Sequence, residues 1–133
     1  VEETARCVPW MGILRGRRAQ VGGWTRKSLK EMLEGLLGSG VHCAPGGSEE
    51  IREVGIITGG AGSEVAAMAA EGIDTFITGE GPHHTYALAE EFGVNLFYAG
   101  HYATETFGVR ALAAHLGEHY NRPHLFIDHP SGL

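Results

Sequence analysis

The chain has 133 residues, a net charge of −6, 43% hydrophobic and 20% charged residues. That is enough for one domain with a buried core, and it excludes a disordered tail and a coiled coil. No stretch approaches the roughly 18 apolar residues of a membrane span and no secretory signal opens the chain, while two cysteines are too few for a disulfide scaffold, so a reducing, cytoplasmic setting is expected.

Charge is unevenly spread. Residues 1–30 hold seven Arg and Lys against two Glu, and the remainder holds three Arg against fourteen acids. Few aromatic residues interleave the basic segment and the body is acidic, so nucleic acid is rejected as the main partner. Residues 1–27 are expected to form an irregular basic segment ahead of an α/β lobe at 28–133; Gly12, Gly16, Gly22 and Gly23 break up 1–24 into loop or short strand. Ser28 with Glu31 reads as a capping box, and Leu29, Met32, Leu33, Leu36 and Leu37 recur at helical spacing until Gly38 and Gly40. Residues 44–50 read as a polar loop.

From Glu53 strands and helices alternate. The predicted strands are Glu53 to Thr58, Thr75 to Thr78, Leu96 to Ala99 and His124 to Asp128. The predicted helices cover 64–71, about 83–92, and about 103–117 with Val109, Leu112, Ala113 and Leu116 on one face. Short apolar strands separated by helices predict a mainly parallel sheet of about four strands with right-handed crossovers. Residues 71–80 and 92–101 form a weak repeat offset by 21, with Gly72 and Gly93 at helix ends and Gly79 and Gly100 at strand exits. One βα unit is used twice.

Ligands of open α/β sheets bind beyond the strands' carboxyl ends. Here those ends read Thr58-Gly59-Gly60, Thr78-Gly79-Glu80 and Ala99-Gly100-His101. If the second and third predicted strands are neighbours, Glu80 and His101 project from one edge toward one ligand. His101 and Glu105 are four apart at a helix start and share a face; the pair suits either a divalent metal such as Zn, Mn or Fe or a surface ion pair. His83 and His84 follow Gly81-Pro82 in the first turn of a helix, as ligands or oxyanion donors or as a plain polar pair. The loop Gly59, Gly60, Ala61, Gly62, Ser63 lacks both the Walker ending and the GxGxxG spacing; its glycines allow close helix–sheet packing with Ser63 as N-cap, or a phosphate contact. His42, in a loop, and His115, His119, His124 and His129 read as structural or exposed. Neither cysteine lies near a His/Asp constellation, and Ser63 has no nucleophile-elbow context.

Gly59-Gly60-Ala61-Gly62-Ser63, Thr78-Gly79-Glu80 with His83-His84, and Gly100-His101-Tyr102-Ala103-Thr104-Glu105 resemble, in order, three motifs of the Nif-three-like family, also catalogued as GTP cyclohydrolase I type 2 homologues. The likeness runs from about Leu29 to the end and implies a two-lobed α/β protein, a toroidal homohexamer, with two divalent metal ions (Zn, Fe or Mn) in a cleft. It implies His101 and Glu105 as metal ligands, with Glu80, His83 and His84 near the cleft. The family's remaining ligands, a His-His pair before a proline and an aspartate, belong to its N-terminal half. No histidine or aspartate precedes Ser28, so the chain resembles the C-terminal half alone.

Two functions follow as expectations. One is a metal-dependent hydrolase acting on a small nucleotide-like molecule, with His101 and Glu105 on metal and Glu80 or His83 moving protons. The alternative is a non-catalytic metal-binding oligomer or regulatory module. A phosphate binder built on Gly59–Ser63 is a third, weaker reading.

Overall fold

The computed structural model describes residues 6–10 and 13–131. Among them, six strands form one sheet: β1 (Arg6–Trp10), β2 (Ile13–Thr25), β3 (His42–Pro45), β4 (Glu50–Ile56), β5 (Thr75–Thr78) and β6 (Asn95–Tyr98), in the order β1-β2-β4-β5-β6-β3. The centre, β4-β5-β6, is parallel, as the strand–helix alternation predicts. Antiparallel strands flank it: β2 against β4, β1 against β2, and β3 against β6. Three helices connect strands, α1 (Arg26–Leu37), α2 (Val65–Ala70, after a 3-10 turn at Gly62–Glu64) and α3 (His84–Phe92), and α4 (His101–His119) follows β6. None of the described helices is long and apolar enough to cross a membrane.

All four residues of β5 are buried, and successive side chains of β5 and β6 serve opposite faces. Phe76 and Leu96 join Val65, Met68, Ile73 and Ala89 beneath α2 and α3. Ile77 and Phe97 join Leu29, Leu33, Ile51 and Val54 beneath α1. A parallel sheet covered on both sides needs such near-continuous apolar strands, which is why the repeat is legible.

Several expectations are corrected. The glycine-broken segment is not irregular where it is described: residues 13–25 are one long strand, bent by a register shift between Gln20 and Trp24 and paired with β4. The cap of α1 is Thr25 rather than Ser28; Ser28 is the N3 partner that completes a Thr25–Ser28 box. Ser63 caps nothing, for it lies inside the 3-10 turn and no side chain caps α2. His124 to Asp128 is not a strand. It lies beside α4, pinned by Tyr102 to Asp128 (2.8 Å) and by the Arg110 guanidinium 3.9 Å over Phe126, and pairs with no described strand. Its outward side chains, Leu125 and Ile127, are 80% and 78% exposed. The expected polar loop at 44–50 also begins inside β3 and ends inside β4.

Candidate functional site at the strand exits

Three strand exits are tied together by backbone and threonine groups. The Gly59 carbonyl accepts hydrogen bonds from the amides of Gly79 (2.9 Å) and Glu80 (3.0 Å) and from the Thr78 hydroxyl (3.1 Å). The Gly100 amide donates to the Gly79 carbonyl at 2.9 Å. Thr104, a buried residue of α4, accepts from the Gly59 amide at 3.1 Å and donates back into the Gly100–His101 turn. Only glycine fits at position 79, because a Cβ there would meet the Gly59 carbonyl oxygen at 2.7 Å and the His101 Cα at 2.8 Å. The sheet thus presents its loops as one platform.

On that platform β5 and β6 are neighbours with Thr78 opposite Tyr98, so Glu80 and His101 leave adjacent strand ends together. His101 Nδ1 lies 2.8 Å from Glu80 Oε1. One turn along α4, Glu105 Oε2 lies 3.3 Å from His101 Nε2. The hydrogen bond to Glu80, reinforced by the charge of Glu105, raises the His101 pKa above its ordinary 6.5, against a smaller opposing effect of burial. Gly59, at φ +73°, faces this pair; a Cβ there would fall 2.5 Å from Glu105 Oε1 and 3.4 Å from His101 Nε2. A side chain at position 59 would fill the space that the imidazole and carboxylate share.

The residues singled out from sequence therefore divide. Glu80, His101 and Glu105 converge, with Gly59 and Gly60 against them. His83 lies beside Glu80, lining a neighbouring recess. His84 and Ser63 are exposed, and among the described residues neither side chain makes a hydrogen bond or ion pair. The Gly59–Ser63 loop is not an open anion cradle: the amides of Gly59, Ala61 and Gly62 are spent on Thr104, Thr78 and the Glu80 carbonyl. Among the described residues no group of three or more His, Cys, Asp or Glu side chains is arranged to hold a metal ion. Thr78 and Thr104 position the site, and the sequence reading gave neither of them a role. His42, expected in a loop, sits on β3 with its ring 5.9 Å from those of Tyr86 and Tyr98.

A parallel α/β core with a histidine held between two carboxylates at its strand exits defines a class: α/β lobes that assemble a polar site at the carboxyl edge of the sheet. The pattern of the Duf34/NIF3 (NGG1p interacting factor 3) family matches residues 20–131, and the chain belongs to that family. It is 46% identical over 88 residues to the GTP cyclohydrolase 1 type 2 homolog of Deinococcus radiodurans, covering 66% of this chain and 34% of that protein. The homolog of Yersinia pestis is 41% identical over 105 residues, 78% of this chain and 42% of its own. Among solved structures, a protein named ybgI superposes with a TM-score of 0.85 at 30% identity, over 96% of this chain and 52% of that one. The protein TTHA1606 of Thermus thermophilus superposes with a TM-score of 0.79 at 35% identity, over 96% and 50%. The chain thus spans about a third to two-fifths of these curated relatives and about half of these solved structures.

Proposed function

We propose that this chain supplies one wall of a divalent-metal site in a hydrolase-like protein acting on a small, nucleotide-like molecule. The observation that supports it is the grip on His101. Glu80 accepts the Nδ1 proton, which leaves the Nε2 lone pair directed toward the side that Glu105 also faces. A carboxylate behind a ligating imidazole is the usual way to fix its tautomer and raise its basicity. The donor set, one imidazole and one carboxylate beside the space that Gly59 leaves clear, fits Zn, Fe or Mn. Two donors are fewer than such an ion takes from protein, so the other ligands come from outside this pair, in a dinuclear site of the complete protein.

When bound, the metal supplies Lewis acidity and a water acidified toward neutral pH. The chain's own residues do the rest. His101 and Glu105 hold the ion, Glu80 orients His101 and is placed to take a proton, and His83 stands at the rim as a second proton carrier. The cytoplasm is the setting this reading assumes, with Cys43 a free thiol.

The name the relatives carry, GTP cyclohydrolase 1 type 2 homolog, fits a nucleotide-like substrate. A second reading, a metal-binding oligomer without turnover, is favoured by α4. Phe107, Val109, Leu112 and Leu116 stand on that helix at least 45% exposed, which suits a chain that assembles, a hexamer on this reading. Zinc titration by calorimetry of the full chain, its His101→Ala variant and its Glu105→Ala variant tests the site. Loss of the tight isotherm in both variants is expected, and an unchanged isotherm in His101→Ala overturns the assignment. Metal-dependent hydrolysis of GTP or another nucleoside triphosphate separates the enzyme from the scaffold.

A further inference from the structure

Beside Glu80 lies a recess of about 280 Å³, bordered by neither His101 nor Glu105 and lined by His42, Tyr86, Tyr98, Pro82, His83 and Glu80. Its wall is aromatic and comes from three elements. His42 on β3 is paired in register with Tyr98 on β6, and Tyr86 stands in the first turn of α3. The ring of His42 lies 5.9 Å from each tyrosine, with interplanar angles of 26° to Tyr98 and 35° to Tyr86. The imidazole is the shared neighbour of both phenol rings, stacked against Tyr98 and tilted to Tyr86, so the recess offers aromatic surface to a flat ring.

The wall is fixed. Thr85 spends its hydroxyl proton on the Pro82 carbonyl at 2.7 Å, so the Tyr98 hydroxyl, 2.7 Å away, donates to Thr85. Burial raises the Tyr98 pKa and keeps that proton in place. Gly81 lets the ring come close, because a Cβ there would sit 3.2 Å from Tyr98 Cε1 and 2.8 Å from the Gly62 Cα. The volume lies just under the range of sites that enclose a whole ligand, so the recess suits one ring system with the rest of the molecule outside it. The half-exposed Glu80 carboxylate can accept from N–H groups in or on such a ring while its other contact holds His101.

We propose that this recess seats the planar nitrogen heterocycle of the substrate, stacked on His42, Tyr86 and Tyr98 and hydrogen-bonded to Glu80, with the remainder of the molecule directed toward His101. The proposal rests on the metal-site reading only for what lies beyond Glu80; the ring subsite stands without metal. Guanosine and adenosine carry such rings and are the probes, with D-ribose and choline as controls.

Binding to the metal-free full chain is followed by NMR. The nucleosides are expected to bind with upfield shifts of their base protons, and ribose and choline to bind far more weakly. His42→Ala and Tyr86→Ala should each weaken nucleoside binding at least about fivefold, as loss of a stacking face does, while Tyr86→Phe retains it. No nucleoside binding at millimolar concentration, binding unchanged in both alanine variants, or equal or better binding of ribose or choline overturns the proposal. Zinc titrations of the same samples keep the two readings apart: nucleoside binding without His101-dependent zinc binding removes the metal site and leaves the recess, and the converse removes the recess alone.

Discussion

Glu80 and His101 are 21 residues apart and meet at 2.8 Å because each occupies the same place, one residue after the exit glycine, in two successive βα units whose strands lie side by side. The contact is a product of the repeat: the period of the chain and the spacing of parallel strands together put the carboxylate against the imidazole.

That contact sets the proton affinity of His101. In the metal-free chain its pKa is raised, principally by Glu80, so proton binding favours the folded state. The contribution is fully present below the ordinary value near 6.5 and is lost as pH rises through the higher folded value. NMR titration of the imidazole should therefore give a midpoint above 6.5, and Glu80→Gln should move it down. A wild-type midpoint at or below the ordinary value would show that the pair does not form in solution.

Glu80→Gln should also weaken zinc binding by about 10- to 100-fold while leaving the ligands His101 and Glu105 in place, the usual penalty for removing a carboxylate behind a ligating histidine. Calorimetry reads it. An affinity equal to wild type would assign Glu80 to the substrate side alone.

Thr104→Val keeps the shape of the side chain and removes the acceptor of the buried Gly59 amide. The unpaired N–H should cost about 1–3 kcal/mol, seen as a lower midpoint in urea unfolding. A change below about 0.5 kcal/mol would mean that the Gly59 loop moves to find another acceptor.

Gly79→Ala places a methyl group against backbone on two sides, the Gly59 carbonyl and the His101 Cα. Backbone gives way less readily than side chain, so overpacking of about 1–3 kcal/mol is expected, together with weaker metal binding as the exits part. Full stability together with wild-type metal affinity would refute the close packing of the three exits.

The centre of the fold was legible because its strands are buried on both faces. Phe76-Ile77 and Leu96-Phe97 are apolar runs with no alternation to confuse them, and Gly93 ends α3 in the left-handed conformation that such a stop requires. The neighbouring positions of Glu80 and His101 followed from the same pattern. The flanking strands were less legible. β2 carries glycines and charge along thirteen residues and bends midway, and β3 is four residues ending in proline, so neither shows a clean period. Missing β3 hid the partnership of His42 with Tyr98. His124 to Asp128 misled in the opposite way. Its short apolar run Leu125-Phe126-Ile127 reads like a strand, yet α4 and not a sheet edge lies beside it, so Leu125 and Ile127 face outward. The supporting threonines escaped because a hydroxyl aimed at a glycine amide 45 residues away leaves no trace in local spacing.

The bonds that join the Gly59, Gly79 and Gly100 exits lie just past the ends of the central strands and involve no helix other than the first turn of α4. Because these bonds bridge all three central strand ends, their amide hydrogens should exchange more slowly than those at the exposed far end of α4, which can fray without disturbing them. A molecule bound there would meet a backbone whose three loops move together, so its adjustment falls mainly to the side chains that stand on it.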